Sequence, residues 1–189
     1  WTATIPVFLF GRNNGSLNDS GTARIYSCQL YDNGQLVRNF IPCKNASGAI
    51  GMYDTVGQAF YGNAGSGSFT VGSDMHDYEF MLTYPTIKKT VPAGYTELEY
   101  IQATGTQFIR TGVYGYADGS YVRGHRWELD MEFTRSDIRQ LMGYGPNGYE
   151  YWGVSAGGTY EGMSVKAGKR DTIVHDYSGG TAGGNTLWV

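Results

Sequence analysis

Asn33-Gly34 stands between two runs rich in strand-forming residues, Ile25-Tyr26-Ser27-Cys28-Gln29-Leu30-Tyr31 and Leu36-Val37-Arg38-Asn39-Phe40-Ile41. No other short feature constrains this chain as much, because both central residues of a two-residue hairpin turn must take positive φ. The spacing predicts two antiparallel strands with Asp32 opposite Gln35 and Cys28 opposite Asn39. More turn signals follow at Asn45 to Gly48, at Tyr53-Asp54 and in the glycine-rich stretch before Phe69-Thr70-Val71. From Ala23 to Gly72 the chain reads as short strands and tight turns.

The composition agrees. Gly 29 and Tyr 16 in 189 residues, with aromatics at 15% and charged residues at 16%, suit strands and turns better than a helical bundle. The length predicts one domain with a self-sufficient core. A net charge of -3 gives no electrostatic reason to expect nucleic acid or anionic lipid. No apolar run approaches ~18 residues, so no membrane insertion is expected. Starting at Trp1 and showing no signal peptide, the sequence reads as a fragment or a processed form.

With Cys28 opposite Asn39, Cys43 lies about 13 Å further along its strand, beyond the ~7 Å Cα separation a disulfide tolerates. Two free, buried thiols are expected. The sequons at Asn14, Asn18 and Asn45 fall in turn-like stretches and are read as turns.

Pro6 to Gly11 is an apolar run ended by glycine and predicts a buried strand. Tyr78 to Tyr84 reads as an extra strand, and Pro85 to Pro92 as an extended connector. Tyr95 to Ile101 alternates in part, and Gly105 to Gly112 follows it. Trp127-Glu128-Leu129-Asp130-Met131-Glu132-Phe133 is the cleanest period-2 segment, with its apolar residues facing one way and its carboxylates the other. Further strands are predicted at Gln140–Gly143, Tyr149–Val154, Gly162–Val165, Arg170–Asp176 and Thr186–Val189. Only Arg135 to Met142 has a helical look, and the chain has no internal repeat.

Taken as a group, FLFGRNNGS (8–16), ARIYSCQLYDNGQLVRNFIPCKN (23–45), GMYDTVGQAFYGNAGSGSFT (51–70), GYTELEYIQATGTQFIRTG (94–112) and WELDMEF (127–133) resemble a concanavalin A-like, LamG-like jelly-roll family. That family is abundant in surface proteins of gut bacteria and in their phages. The resemblance implies an all-β, antiparallel two-sheet jelly-roll sandwich. It also implies a displaced order, because the family's closing half stands first, at 1–72, and its opening half last, at 93–189. Residues 73–92 then join them. A circular permutation or a slice across two tandem copies would produce this order, and the halves would close within one chain or between neighbouring chains.

Glu128-Leu129-Asp130-Met131-Glu132 also resembles the E-x-D-x-E strand of the laminarinase-like retaining glycosidases. The resemblance would make Glu128 the nucleophile and Glu132 the acid/base, with Asp130 tuning both. Retaining chemistry needs carboxyl groups ~5–5.5 Å apart, so Glu128 and Glu132, about 13 Å apart at Cα on an ideal strand, would have to lean together. The competing reading, adopted here, makes all three the outward side chains of a half-buried antiparallel strand. Tyrosines and Trp152 in glycine-rich segments offer rigid amphipathic faces for sugar rings or protein partners. Tyr149, Trp152 and Tyr160 are taken as the candidate ligand-binding residues.

Asn13, Asn14, Asn18 and Asp19 supply oxygen atoms that could hold Ca²⁺; an ordinary turn loop is the preferred reading, and neither cofactor nor metal site is assigned. His76, His125 and His175 are scattered without ligand spacing. The expected function is a non-catalytic recognition module, binding a glycan or cell-surface receptor at an extracellular, cell-surface or virion location. A retaining glycosidase, or an assembly module that completes its sandwich with a neighbouring chain by exchanging a strand or half-domain, are the alternatives.

Overall fold

The computed structural model describes residues 2–18, 20–75, 91–116, 125–135, 140–144, 154–155, 168–176 and 186–188. The hairpin forms as predicted. Asn33 (φ 48°) and Gly34 (φ 76°) are both left-handed, and Asp32 stands opposite Gln35. They join β4 (Thr22–Asp32) to β5 (Gln35–Lys44), the long central pair of the larger sheet. The other strands are β1 (Thr2–Leu9), β2 (Gly11–Asn13), β3 (Leu17–Asn18), β6 (Ile50–Asp54), β7 (Ala59–Gly62), β8 (Thr70–Val71), β9 (Thr96–Glu97) and β10 (Ile101–Thr104). They continue with β11 (Ile109–Tyr116), β12 (His125–Phe133), β13 (Gln140–Tyr144), β14 (Val154–Ser155), β15 (Arg170–Asp176) and β16 (Thr186–Trp188).

Two bulges adjust the simple alternation. Between Leu30 and Tyr31 the β4–β5 register slips past Val37, so Cys28 faces Phe40 instead of Asn39. Along β4 itself, Asp130 of β12 pairs with Ser27 while Met131 pairs with Ile25, which leaves Tyr26 as the extra residue. That bulge resets the face of the strand. Ala23, Ile25, Cys28 and Leu30 all reach the core, whereas unbroken alternation would have put Ile25 and Cys28 on opposite faces.

The larger sheet runs β16-β15-β12-β4-β5-β6-β7, with β8, β9 and β10 added where β4 and β5 diverge. The smaller runs β11-β1-β13-β2-β3, with β14 on β13. Pairing is antiparallel throughout the described strands except between β13 and β2. This is an antiparallel, largely β fold, sandwich-like, with one sheet curled into a half-barrel. Strands from 1–72 and from 93–189 share both sheets: β4 lies between β5 and β12, and β1 between β11 and β13.

Several predicted segments differ in detail. The strand expected over Pro6 to Gly11 breaks at Phe10 (φ 69°), where the chain reverses to set β1 and β2 on either side of β13. Gly105 to Phe108 is a turn that precedes β11. Gln140 to Met142 belongs to a strand, so the helical look of that stretch gives way to pairing with β1 and β14. Tyr78 to Tyr84 and Gly162 to Val165 lie outside the described residues.

One core lies between the sheets. Val7, Leu9, Phe10, Ile109 and Met142 of the smaller sheet meet Ile25, Leu30, Phe40, Met52, Ile101, Trp127, Leu129, Met131, Phe133 and Ile173 of the larger. Each such side chain contributes on the order of 1.5–3 kcal/mol through removal of apolar surface from water. A second cluster lies apart from it. Cys43, Tyr53 and Val91, with Ile41, Phe60 and Tyr95, pack where the segment 91–95 covers β5, β6 and β7. Cys28 belongs to the first cluster and Cys43 to the second, and both thiols are free and buried, as expected. Cys43 lies three residues beyond Phe40, the partner of Cys28, so the two side chains point to opposite faces of the sheet.

Candidate functional site

Strand β12 behaves as its period predicts. Trp127, Leu129, Met131 and Phe133 are buried, while Arg126, Glu128, Asp130 and Glu132 are only partly covered on the opposite face. Its neighbours extend that outer face: Arg24, Tyr26, Ser27, Gln29 and Tyr31 from β4, Arg170 and Thr172 from β15, and Gln102 from β10. The cluster under 91–95 covers another part of the same sheet, over β5, β6 and β7.

Each carboxylate on the face has its own guanidinium. Arg170, diagonal to Asp130 across the β12–β15 ladder, donates from Nε at 2.9 Å and from Nη2 at 2.6 Å, a two-pronged ion pair. Arg24, directly opposite Glu132, donates from Nη1 to its Oε2 at 3.0 Å, and the Tyr26 hydroxyl donates to the same oxygen at 3.1 Å. Arg126 pairs with Glu128 two residues along its own strand.

Each guanidinium also lies over a tyrosine ring. Arg170 is 3.7 Å from the centre of Tyr26, Arg24 is 4.8 Å from Tyr100, and Arg126 is 5.4 Å from Tyr31. Tyr26 and Tyr100 meet edge to face at 5.4 Å. Arg24 Nε donates to Gln102 Oε1 at 2.9 Å. A chain of neutral groups leads away from Tyr31, whose hydroxyl donates to Gln29 Oε1 at 2.9 Å. Gln29 Nε2 then donates to Asn39 Oδ1 at 3.3 Å, and Asn39 Nδ2 to Thr55 Oγ1 at 2.8 Å.

These contacts hold Tyr26 and Tyr31 in their phenol forms. Burial raises the Tyr26 hydroxyl first, helped by its hydrogen bond to Glu132. Burial and the Glu128 charge raise that of Tyr31. On Arg170 the hydrogen bonds to Asp130 outweigh desolvation and raise the guanidinium further above its usual range.

The glycosidase pattern therefore appears as three carboxylates in three ion pairs on a shared strand face. Of the residues proposed for ligand binding, Tyr149, Trp152 and Tyr160 lie outside the described residues. Sequence reasoning missed Tyr26, Tyr31 and Tyr100, which share the face with the carboxylates. Period 2 from Gln29 and Tyr31 could have found Tyr31, but the bulge hides Tyr26.

The loop proposed for Ca²⁺ is occupied with its own hydrogen bonds at Asn13. Its Nδ2 donates to Pro6 O at 2.8 Å and its Oδ1 accepts from Gly15 N at 3.0 Å, the pattern of an Asx turn. The side chains of Asn18 and Asp19 lie outside the described residues. Among the described residues no group of three or more His, Cys, Asp or Glu could hold a metal ion, and no helix is long and apolar enough to cross a membrane. Comparison with protein-family models, with curated proteins and with solved structures finds no match to this chain.

Proposed function

We propose that this chain is a non-catalytic recognition module on a jelly-roll scaffold whose two halves stand in permuted order, and that it binds carbohydrate at a bacterial surface or on a phage particle. The observation that carries the reading is the outer face of β4, β12, β15 and β10. It presents Tyr26, Tyr31 and Tyr100 beside carboxamides and paired charges, on strands anchored by a full core beneath. Half-covered tyrosines held in place by cation contacts offer flat apolar surfaces ringed by hydrogen-bonding groups, which is what a sugar ring needs. The closure of the two halves within one chain is supported by the interleaving of their strands in both sheets, and their permuted order rests on the family resemblance. The bacterial or phage setting rests on the family resemblance alone.

Saturable binding on a glycan array, weakened by Tyr26→Ala or Tyr100→Ala in a protein that keeps its melting temperature, is the expected result. No binding to any glycan would sink the reading. Hydrolysis of a β-glucan that disappears in Glu128→Gln would replace it with a retaining glycosidase.

A further inference from the structure

The charges on this outer face cancel in a specific way. Among the described residues Arg24, Arg126 and Arg170 stand against Glu132, Glu128 and Asp130, one to one. Each cation is also engaged by a neighbouring ring. Arg170 spends two donor positions on Asp130 and lays a flat face 3.7 Å over Tyr26. Arg24 divides its donors between Glu132 and Gln102 and covers Tyr100. Arg126 is held between Glu128 and the ring of Tyr31. Glu99 adds another negative charge within reach of Arg170.

Resting on the recognition reading above, we infer that this face selects uncharged, hydroxyl-rich glycans and turns acidic ones away. A carboxylate or sulfate on an incoming sugar would have to share a guanidinium with an internal carboxylate already fixed beside it. It would then bring its own charge beside Glu128, Asp130 or Glu132, and like charges at such spacing repel. A neutral sugar meets none of this. Its hydroxyls both donate and accept, matching the carboxamides of Gln29 and Gln102, the Ser27 and Thr172 hydroxyls and the tyrosine phenols. Its C–H face matches the rings. Among the described residues of the face, three pairs compensated at contact distance, with Glu99 alone left over, also project little field beyond a Debye length, so salt has little to screen.

The test uses the full chain and two probe panels: neutral oligosaccharides of β-glucan, mannan and galactan, and acidic ones made of sialyllactose, oligogalacturonate and heparin fragments. Binding is measured by titration calorimetry at low and high salt. Neutral probes alone should bind, with Kd changing less than about twofold between about 0.05 and 0.5 M salt. A preference for the acidic panel, or affinity that falls steeply with salt, overturns this inference while leaving the recognition reading in place. No binding in either panel overturns both. Asp130→Asn frees the Arg170 fork and should raise affinity for the acidic probes at least fivefold; Glu128→Gln, which frees Arg126, serves if that variant fails to fold. A correctly folded variant of either kind without such a gain counts against the proposed exclusion.

Discussion

Asp54 is the most consequential carboxylate in the fold, and it lies away from the candidate face. It ends β6 with no solvent exposure. Its Oδ1 accepts from Asn39 N at 3.0 Å and from Val56 N at 3.1 Å, and its Oδ2 accepts from Gly57 N at 3.0 Å. Arg38 Nε stands 3.4 Å from Oδ2 and also donates to Thr111 O at 3.1 Å, which ties the larger sheet to β11 of the smaller. Asp54→Ala would strip the acceptor from three backbone donors and the counter-ion from Arg38. Each buried unsatisfied donor costs about 1–3 kcal/mol. Val56 and Gly57 are exposed enough for water to replace the lost acceptor, so their share falls at the low end. The Arg38 side chain is 24% exposed, which reduces the cost of leaving it unpaired. The expected total is about 3–5 kcal/mol. For a chain of 189 residues that corresponds to a melting temperature lower by about 8–12 °C. Asp54→Asn keeps the shape and Oδ1 but turns an N–H toward Gly57 N–H, so about half the loss is expected. Gly57→Ala probes the same pocket from the other side, since a Cβ there would stand 2.5 Å from Asp54 Oδ2. Its cost should shrink when Asp54 is already alanine, a coupling readable in a double-mutant cycle by urea unfolding. If Asp54→Ala and Asp54→Asn both stay within about 1 kcal/mol of the parent protein, the turn does not depend on this carboxylate and the reasoning fails.

Burial raises the thiol of Cys28 well above its ordinary range and pushes that of Cys43 up to about 12. The folded state therefore keeps protons that the unfolded state releases above about pH 8.5, so stability is full below that pH and falls as pH rises toward 12. Neither cysteine should react with a thiol reagent near pH 8 until urea unfolds the chain, and the Cys28→Ala/Cys43→Ala double variant should flatten the alkaline decline; rapid labelling of the native protein would refute the burial. Gly65→Ala should cost about 2 kcal/mol or more by thermal melting, because a Cβ would meet Thr106 O at 2.0 Å in the clasp where Ser66 N bonds Thr106 O; an unchanged melting temperature would show that the clasp can open without loss. The fragment Trp1 to Pro92 lacks β12, the strand that pairs with β4 from Ala23 to Asp32, and should be insoluble or molten. Cooperative unfolding of that fragment would show that the first half is self-sufficient.

The parts of the fold that were legible in the sequence are those set by local rules. Asn33-Gly34 fixed a turn because few other dipeptides accept two positive φ values, and Trp127 to Phe133 fixed a strand and its buried face because nothing interrupts its period. What was not legible depends on partners distant in sequence. Phe10 holds a left-handed conformation that its residue type does not advertise. It is retained there because the side chain is fully buried and packs against Phe69 at 5.2 Å, a partner 59 positions further along the chain.

The candidate face follows the same division. Its carboxylates and Arg126 could be read from a single strand, but the cations of Glu132 and Asp130 arrive from β4 and β15, across ladders whose register no local pattern determines. The bulge at Tyr26 decides the outcome. Without it, a strict period running back from Leu30 and Cys28 would turn Tyr26 into the core and Ile25 out to the face. The extra residue leaves Ile25 buried and places Tyr26 outside, where its ring meets Arg170 and its hydroxyl meets Glu132. One inserted position thus links the Asp130 and Glu132 ion pairs through a common tyrosine. An E-x-D-x-E strand becomes a charge-compensated aromatic surface through its neighbours, and the motif alone is the same in either case.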